Sequence, residues 1–140
     1  MITWQYLAGF IDGEGTIGLY GRYDHPTAFG FPVLQVVQVG SRGYQLLLEV
    51  KDFLEQSGIG ARITIHDRLR PSHMETAYIL RVGKRDAVAR ALKRLLPYLH
   101  RKKVEAQDVL RAIVLWPNPH IHGKSGRAGW VTIFKTIGQV

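Results

Sequence analysis

The chain has 140 residues, 46% of them hydrophobic, with 19 Lys and Arg against 11 Asp and Glu and a formal net charge of +8. One domain spanning 1–140 is expected, large enough to bury a core, and the absence of cysteine excludes disulfides and thiolate zinc sites and suits a reducing interior. No apolar run reaches membrane-spanning length and no signal-peptide layout opens the chain, so the expectation is no membrane and an intracellular site (cytoplasm, nucleoid or organelle matrix), with the positive charge favouring a polyanionic partner.

Ile2 and Thr3 read as staple and N-cap of a first helix, with Leu7 as the staple's partner and glycines ending the helix near Gly13. Gly15 to Tyr23 reads as a strand that sets Ile17 and Leu19 against Thr16, Gly18, Tyr20 and Arg22. After a Pro- and Gly-bearing loop, Phe31 to Gln38 returns with Gln35 opposite Leu34 and Val36. Ser41 is the expected N-cap of a long amphipathic helix ending at Gly58. Gly60 to Arg68 and Thr76 to Val82 alternate as a second hairpin. Helices follow from about Lys84 to Leu96 and from Val104 to Leu115, broken at Pro97. The tail, 116–140, is basic and then apolar, with one more short helix expected and its role open. Two hairpins, each followed by a helix, predict an α+β architecture: one antiparallel sheet with helices on a single face. The opposite face, carrying the polar and basic half of each alternation, is shaped to follow a DNA groove.

The stretch from Tyr6 to Ile17 carries the chemistry. An apolar helix runs into Asp12 and Glu14, and carboxylates at a buried helix end call for a cation, most naturally a divalent metal. Gly9 and Gly13 stand one turn apart, clearing a stripe that a second copy of the same helix would fit. Such a pair would bring both copies of Glu14 together, as metal-assisted phosphodiester hydrolysis requires. The alternative is that the glycines allow packing within the chain and that Asp12 caps a helix end.

Leu7-Ala8-Gly9-Phe10-Ile11-Asp12-Gly13-Glu14-Gly15 resembles the signature of the LAGLIDADG homing endonucleases, with Phe in place of the second Leu and Glu in place of the second Asp. The likeness runs from Trp4 to about Leu115. It implies an αββαββα fold with a saddle-shaped antiparallel sheet. A chain with one motif resembles the homodimeric kind, which cuts long pseudo-palindromic double-stranded DNA with Mg2+ or Mn2+ and is encoded in introns or inteins. Matched position by position, Glu14 is the metal-binding acid and Gly13 lends its carbonyl. Gln38, Arg42 and Lys102 are the further catalytic positions, with Lys103 an alternative to Lys102. Leu7, Ala8, Gly9, Asp12 and Gly13 form the expected dimer interface. Tyr20, Arg22, Gln35, Arg62, Thr64, His66, Arg68, Arg70, Ile79 and Arg81 are the expected DNA-binding set, with Arg suited to guanine and Gln to adenine edges.

Three other patterns lose to their context. Gly13 to Gly18 matches a dinucleotide-binding glycine pattern, but it follows a helix and opens a strand. Gly123-Lys124-Ser125 lacks the first glycine of a phosphate loop, and His120-Ile121-His122 has no third ligand nearby. The stretch from His120 to Arg127 fits the DNA backbone better. The competing readings are an RNA maturase or non-cleaving DNA-binding protein of the same fold, and a basic protein-interaction module.

Overall fold

A computed structural model describes residues 1–20, 31–66 and 74–115. The elements in chain order are α1 (Trp4–Glu14), β1 (Gly15–Tyr20), β2 (Phe31–Val39), α2 (Gly40–Gln56), β3 (Arg62–Ile65), β4 (Ala77–Val82), α3 (Arg85–Leu95), a 3-10 turn (Leu96–Tyr98) and α4 (Lys103–Leu115). The four strands form one sheet in the order β1-β2-β4-β3, antiparallel at every pairing. The expected α+β order is therefore present. The parts expected at 21–23 and in the tail lie outside the described residues.

Strand alternation decides which face the helices cover. Ile17, Leu34, Val36, Leu80 and Val82 share a core with Leu7, Ala8 and Ile11 of α1, Leu47, Val50 and Leu54 of α2, Val88, Leu92 and Leu95 of α3, and Ala106 and Val109 of α4. All four helices thus pack on one side. The other face is less uniformly polar than its pattern predicted: Val33 is 2% exposed and Ile79 7%, and both lie outside that core.

Thr3 starts α1 as expected, its Oγ1 accepting from the Tyr6 amide at 3.0 Å. At the other end the Gly15 amide donates to the Ile11 carbonyl and the chain turns directly into β1. A Cβ at Gly15 would lie 2.9 Å from Ile11 atoms, so only glycine fits this helix-to-strand turn. The start of α2 differs from expectation. Val39, without a side-chain bond, holds the N-cap position instead of Ser41. The Gly40 amide donates 2.9 Å to the Thr76 carbonyl, so a bond to the backbone ahead of β4 takes up a donor that a serine cap would have served. Gly43 is needed for close approach, since a Cβ there would meet Gln38 Cβ at 2.8 Å.

α1 is tied at both ends. Trp4 packs edge-on against Phe53 of α2 at 4.9 Å, with the Arg94 guanidinium of α3 5.4 Å from its ring centre. Near the C-terminal end, the Asp12 carboxylate accepts from the His100 amide at 2.8 Å and the Lys102 amide at 2.9 Å. Lys102 Nζ answers by donating to the Asp12 carbonyl at 3.0 Å. Donors ahead of α4 have no partner within their own helix, and a carboxylate there satisfies them and complements the helix dipole. Burial alone would raise the Asp12 carboxyl. Backbone hydrogen bonds at His100, Lys102 and Arg101, with the charge of His100, outweigh burial and hold it below its ordinary value of 3.8.

Because the folded value is the lower one, Asp12 stabilises the fold fully above the unfolded value and loses that contribution as pH falls through the folded value. Urea midpoints should decline below about pH 4. Asp12→Asn should flatten that part of the profile and lower the midpoint at neutral pH; an unchanged acid limb would remove Asp12 from the account. Gly43→Ala should cost about 1–3 kcal/mol in the same assay through overpacking against Gln38.

Candidate active site

Two residues beyond Asp12, Glu14 points elsewhere. Positions two apart on a helix do not share a face, and while Asp12 is engaged by the turn before α4, Glu14 is exposed at the last position of α1. Among the described residues nothing bonds its carboxylate. Gly13 beside it lies in the last turn, where helix carbonyls lack amide partners four residues on. The partial negative charge of that helix end adds to the carboxylate and favours a cation.

The neighbouring candidates separate by position. The pairing of Gly15 with Val36 carries the next residues of β2 alongside the α1–β1 junction. Gln38 therefore belongs to this end of the molecule. Its Nε2 donates 2.9 Å to the Val37 carbonyl, which leaves Oε1 as an acceptor. Of the two lysines, Lys102 is the one bonded to α1, whereas Lys103 is exposed at the start of α4. Arg42 is exposed on the first turn of α2 and lines a surface groove with Ser41, Gln45, Leu46 and Glu49. No hydrogen bond joins it to Glu14, Gln38 or Lys102.

The residues fit a hard divalent cation, which takes carboxylate and carbonyl oxygen and leaves remaining positions to water and substrate phosphate. Glu14 is the acid at this end not already occupied by backbone donors, and Gly13 supplies a carbonyl. Among the described residues no three His, Asp or Glu side chains converge on one point.

The glycine stripe opens outward. A Cβ added at Gly9 or Gly13 would meet nothing within 4 Å, so neither glycine serves close packing among the described residues. Two members of the expected interface are corrected: Leu7 is 1% exposed and Ala8 0%, both taken up by the chain's own core. Asp12 is spent on the turn before α4. The open face of α1 instead presents Gln5, Tyr6, Gly9 and Gly13, with the Tyr6 and Phe10 rings 6.4 Å apart beside it.

On the sheet face opposite the helices, register builds one row from all four strands. Thr16 pairs with Gln35, Gln35 with Arg81, and Arg81 with Arg62. Gln35 Oε1 accepts from Arg81 Nε at 3.0 Å and Nη2 at 2.9 Å. Thr64 and His66 are exposed along β3, whereas Ile79, nearly covered, has little surface to offer a duplex and leaves the expected set. Tyr20 closes β1; Arg22, Arg68 and Arg70 lie outside the described residues, as does His120 to Arg127. Reading the sequence did not single out Thr16 or Lys84. Lys84 joins Gly60, Arg62, Thr64, Arg81 and Gly83 around a groove of about 400 Å³ at the β3–β4 end of the sheet.

No family model and no curated protein matches the chain. Solved structures do. The homing endonuclease I-CvuI, in complex with the I-CreI target in the presence of Mg with the DNA not cleaved, aligns at a TM-score of 0.69 and 24% identity. That alignment covers 97% of this chain and 80% of the other. I-CvuI in complex with its own target in the presence of Ca aligns with the same values. The LAGLIDADG homing endonuclease I-GzeII, in complex with a DNA target, aligns at a TM-score of 0.67 and 19% identity, over 98% of this chain and 43% of that one. This chain is built on the fold of the LAGLIDADG homing endonucleases.

Proposed function

We propose that the chain is one subunit of a homodimeric, divalent-metal-dependent endonuclease that cuts double-stranded DNA at a long pseudo-palindromic site. The observation that carries the reading is the open glycine stripe of α1, leading to an exposed and unengaged Glu14. Its support is the likeness in fold to homing endonucleases solved on DNA, two of them with Mg or Ca present. The basic composition of the chain agrees with a nucleic-acid partner.

In this reading two α1 helices approach along Gly9 and Gly13, and a two-fold axis doubles the carboxylate count at their ends. Glu14 and the Gly13 carbonyl hold Mg2+ or Mn2+. When bound, the ion stabilises charge on the departing oxygen and eases activation of the attacking water. The remaining work belongs to the protein. Gln38 Oε1, free of the bond its amide nitrogen makes to Val37, accepts from the water and fixes its direction. Lys102, steadied on the Asp12 carbonyl, places an ammonium where a phosphodiester gains negative charge in the transition state. Arg42, four residues after Gln38, adds a cation on the same flank.

A site is first obtained by cleavage selection from a randomised duplex library with Mg2+, and EDTA should abolish cutting. On that site Glu14→Gln should lose cleavage while keeping DNA affinity in Ca2+; a variant that still cuts would refute the role of Glu14. Gly9→Leu should convert dimer to monomer in sedimentation velocity, because a leucine blocks the approach of two backbones. A dimer that persists would place the interface elsewhere.

A further inference from the structure

Sequence pattern alone assigned Gln35 and Arg81 to separate bases. The geometry assigns them to one. We infer that Gln35 and Arg81 form a single guanine-reading unit, in which Gln35 is the positioning residue and Arg81 makes the base contact. This rests on the DNA-binding reading above and adds to it a base identity and a division of labour.

The argument turns on which hydrogen-bonding edges remain. Gln35 Oε1 takes the Nε and Nη2 hydrogens of Arg81, so the side edge of the guanidinium is occupied. The end edge, made by one hydrogen on Nη1 and the second on Nη2, stays free. Two parallel donors of that kind match the N7 and O6 acceptors that guanine presents in the major groove. An adenine-reading glutamine needs its carbonyl to accept from N6 while its amide donates to N7. The Gln35 carbonyl already accepts twice, and what remains to it is donation alone. Gln35 therefore cannot make the bidentate adenine pair while it holds Arg81.

Position supports the assignment. Gln35 and Arg81 are direct cross-strand partners on β2 and β4, the two central strands of the sheet, and Arg81 is exposed on the face away from the helices. Arg81 also faces Arg62 directly across from β4 to β3. Like charges opposite one another repel, so Arg62 favours an Arg81 drawn toward Gln35 and away from itself. The glutamine thus fixes a side chain that would otherwise have many rotamers, and a pre-oriented donor pair loses less freedom on binding.

The test is a binding selection on a randomised duplex library in Ca2+, run for the wild type, Arg81→Ala, Gln35→Met and Gln35→Glu, with affinities then measured on the selected site. The wild type should select guanine at one symmetry-related pair of positions. Arg81→Ala should erase that preference and weaken binding to the selected site about 5- to 150-fold. Gln35→Met, similar in length but without an acceptor, should relax the preference at the same pair. Gln35→Glu, a stronger acceptor for a guanidinium, should retain it. Adenine selected at a different pair and lost in Gln35→Met would overturn the inference, as would Arg81→Ala weakening every sequence equally. A wild type that selects no duplex would instead remove the DNA-binding reading on which the unit rests.

Discussion

Two backbone amides from the turn before α4 converge on one carboxylate, Asp12, and the direction of the first helix depends on that contact. Lys102 closes the loop by donating from its side chain to the Asp12 carbonyl, so the helix end and the turn hold each other from both sides. At the far end Trp4, set between Phe53 and Arg94, prevents α1 from swinging on this anchor. With both ends held, rotation about the helix axis is fixed as well. Leu7, Ala8 and Ile11 face the core, and Gly9 and Gly13 face outward. The same rotation separates the two acids of the motif. Asp12 is spent on structure, and Glu14, about 200° further around the axis at 3.6 residues per turn, is left for chemistry.

Much of this was legible because the relevant physics is local. Thr3 caps α1 through its own side chain, Pro97 interrupts the helical run, and strict alternation in β2 and β4 separates Leu34, Val36, Leu80 and Val82 from Gln35 and Arg81. What escaped depends on contacts between distant segments. The start of α2 is set by a bond from Gly40 to Thr76, so the capping preference of Ser41 had no bearing on it. Leu7 and Ala8 were expected at an interface because they belong to the motif, yet helix phase gives them to the core. The pairing of Gln35 with Arg81 spans 46 positions and needs the β2–β4 register, which hydrophobic pattern does not specify. The low exposure of Val33 and Ile79 on the outer face likewise has no signature in the alternation, which marks faces but not coverage.

The helix end and the outer sheet face meet at the α1–β1 junction. Gly15 admits no Cβ, so α1 passes into β1 without an intervening loop. Thr16, two residues beyond Glu14, begins the row that continues through Gln35 and Arg81 to Arg62. Neighbouring strands are about 4.8 Å apart, so the row extends roughly 14 Å, comparable to the rise of about four base pairs. The acid and the row are thus parts of one rigid unit: a tilt of β1 would carry Thr16 and Glu14 together. In the proposed dimer a two-fold axis along α1 repeats this unit with opposite polarity. The distance from each scissile phosphate to the bases read beside it is then set within a single subunit, while the spacing between the two half-sites depends on how closely Gly9 and Gly13 let the helices approach.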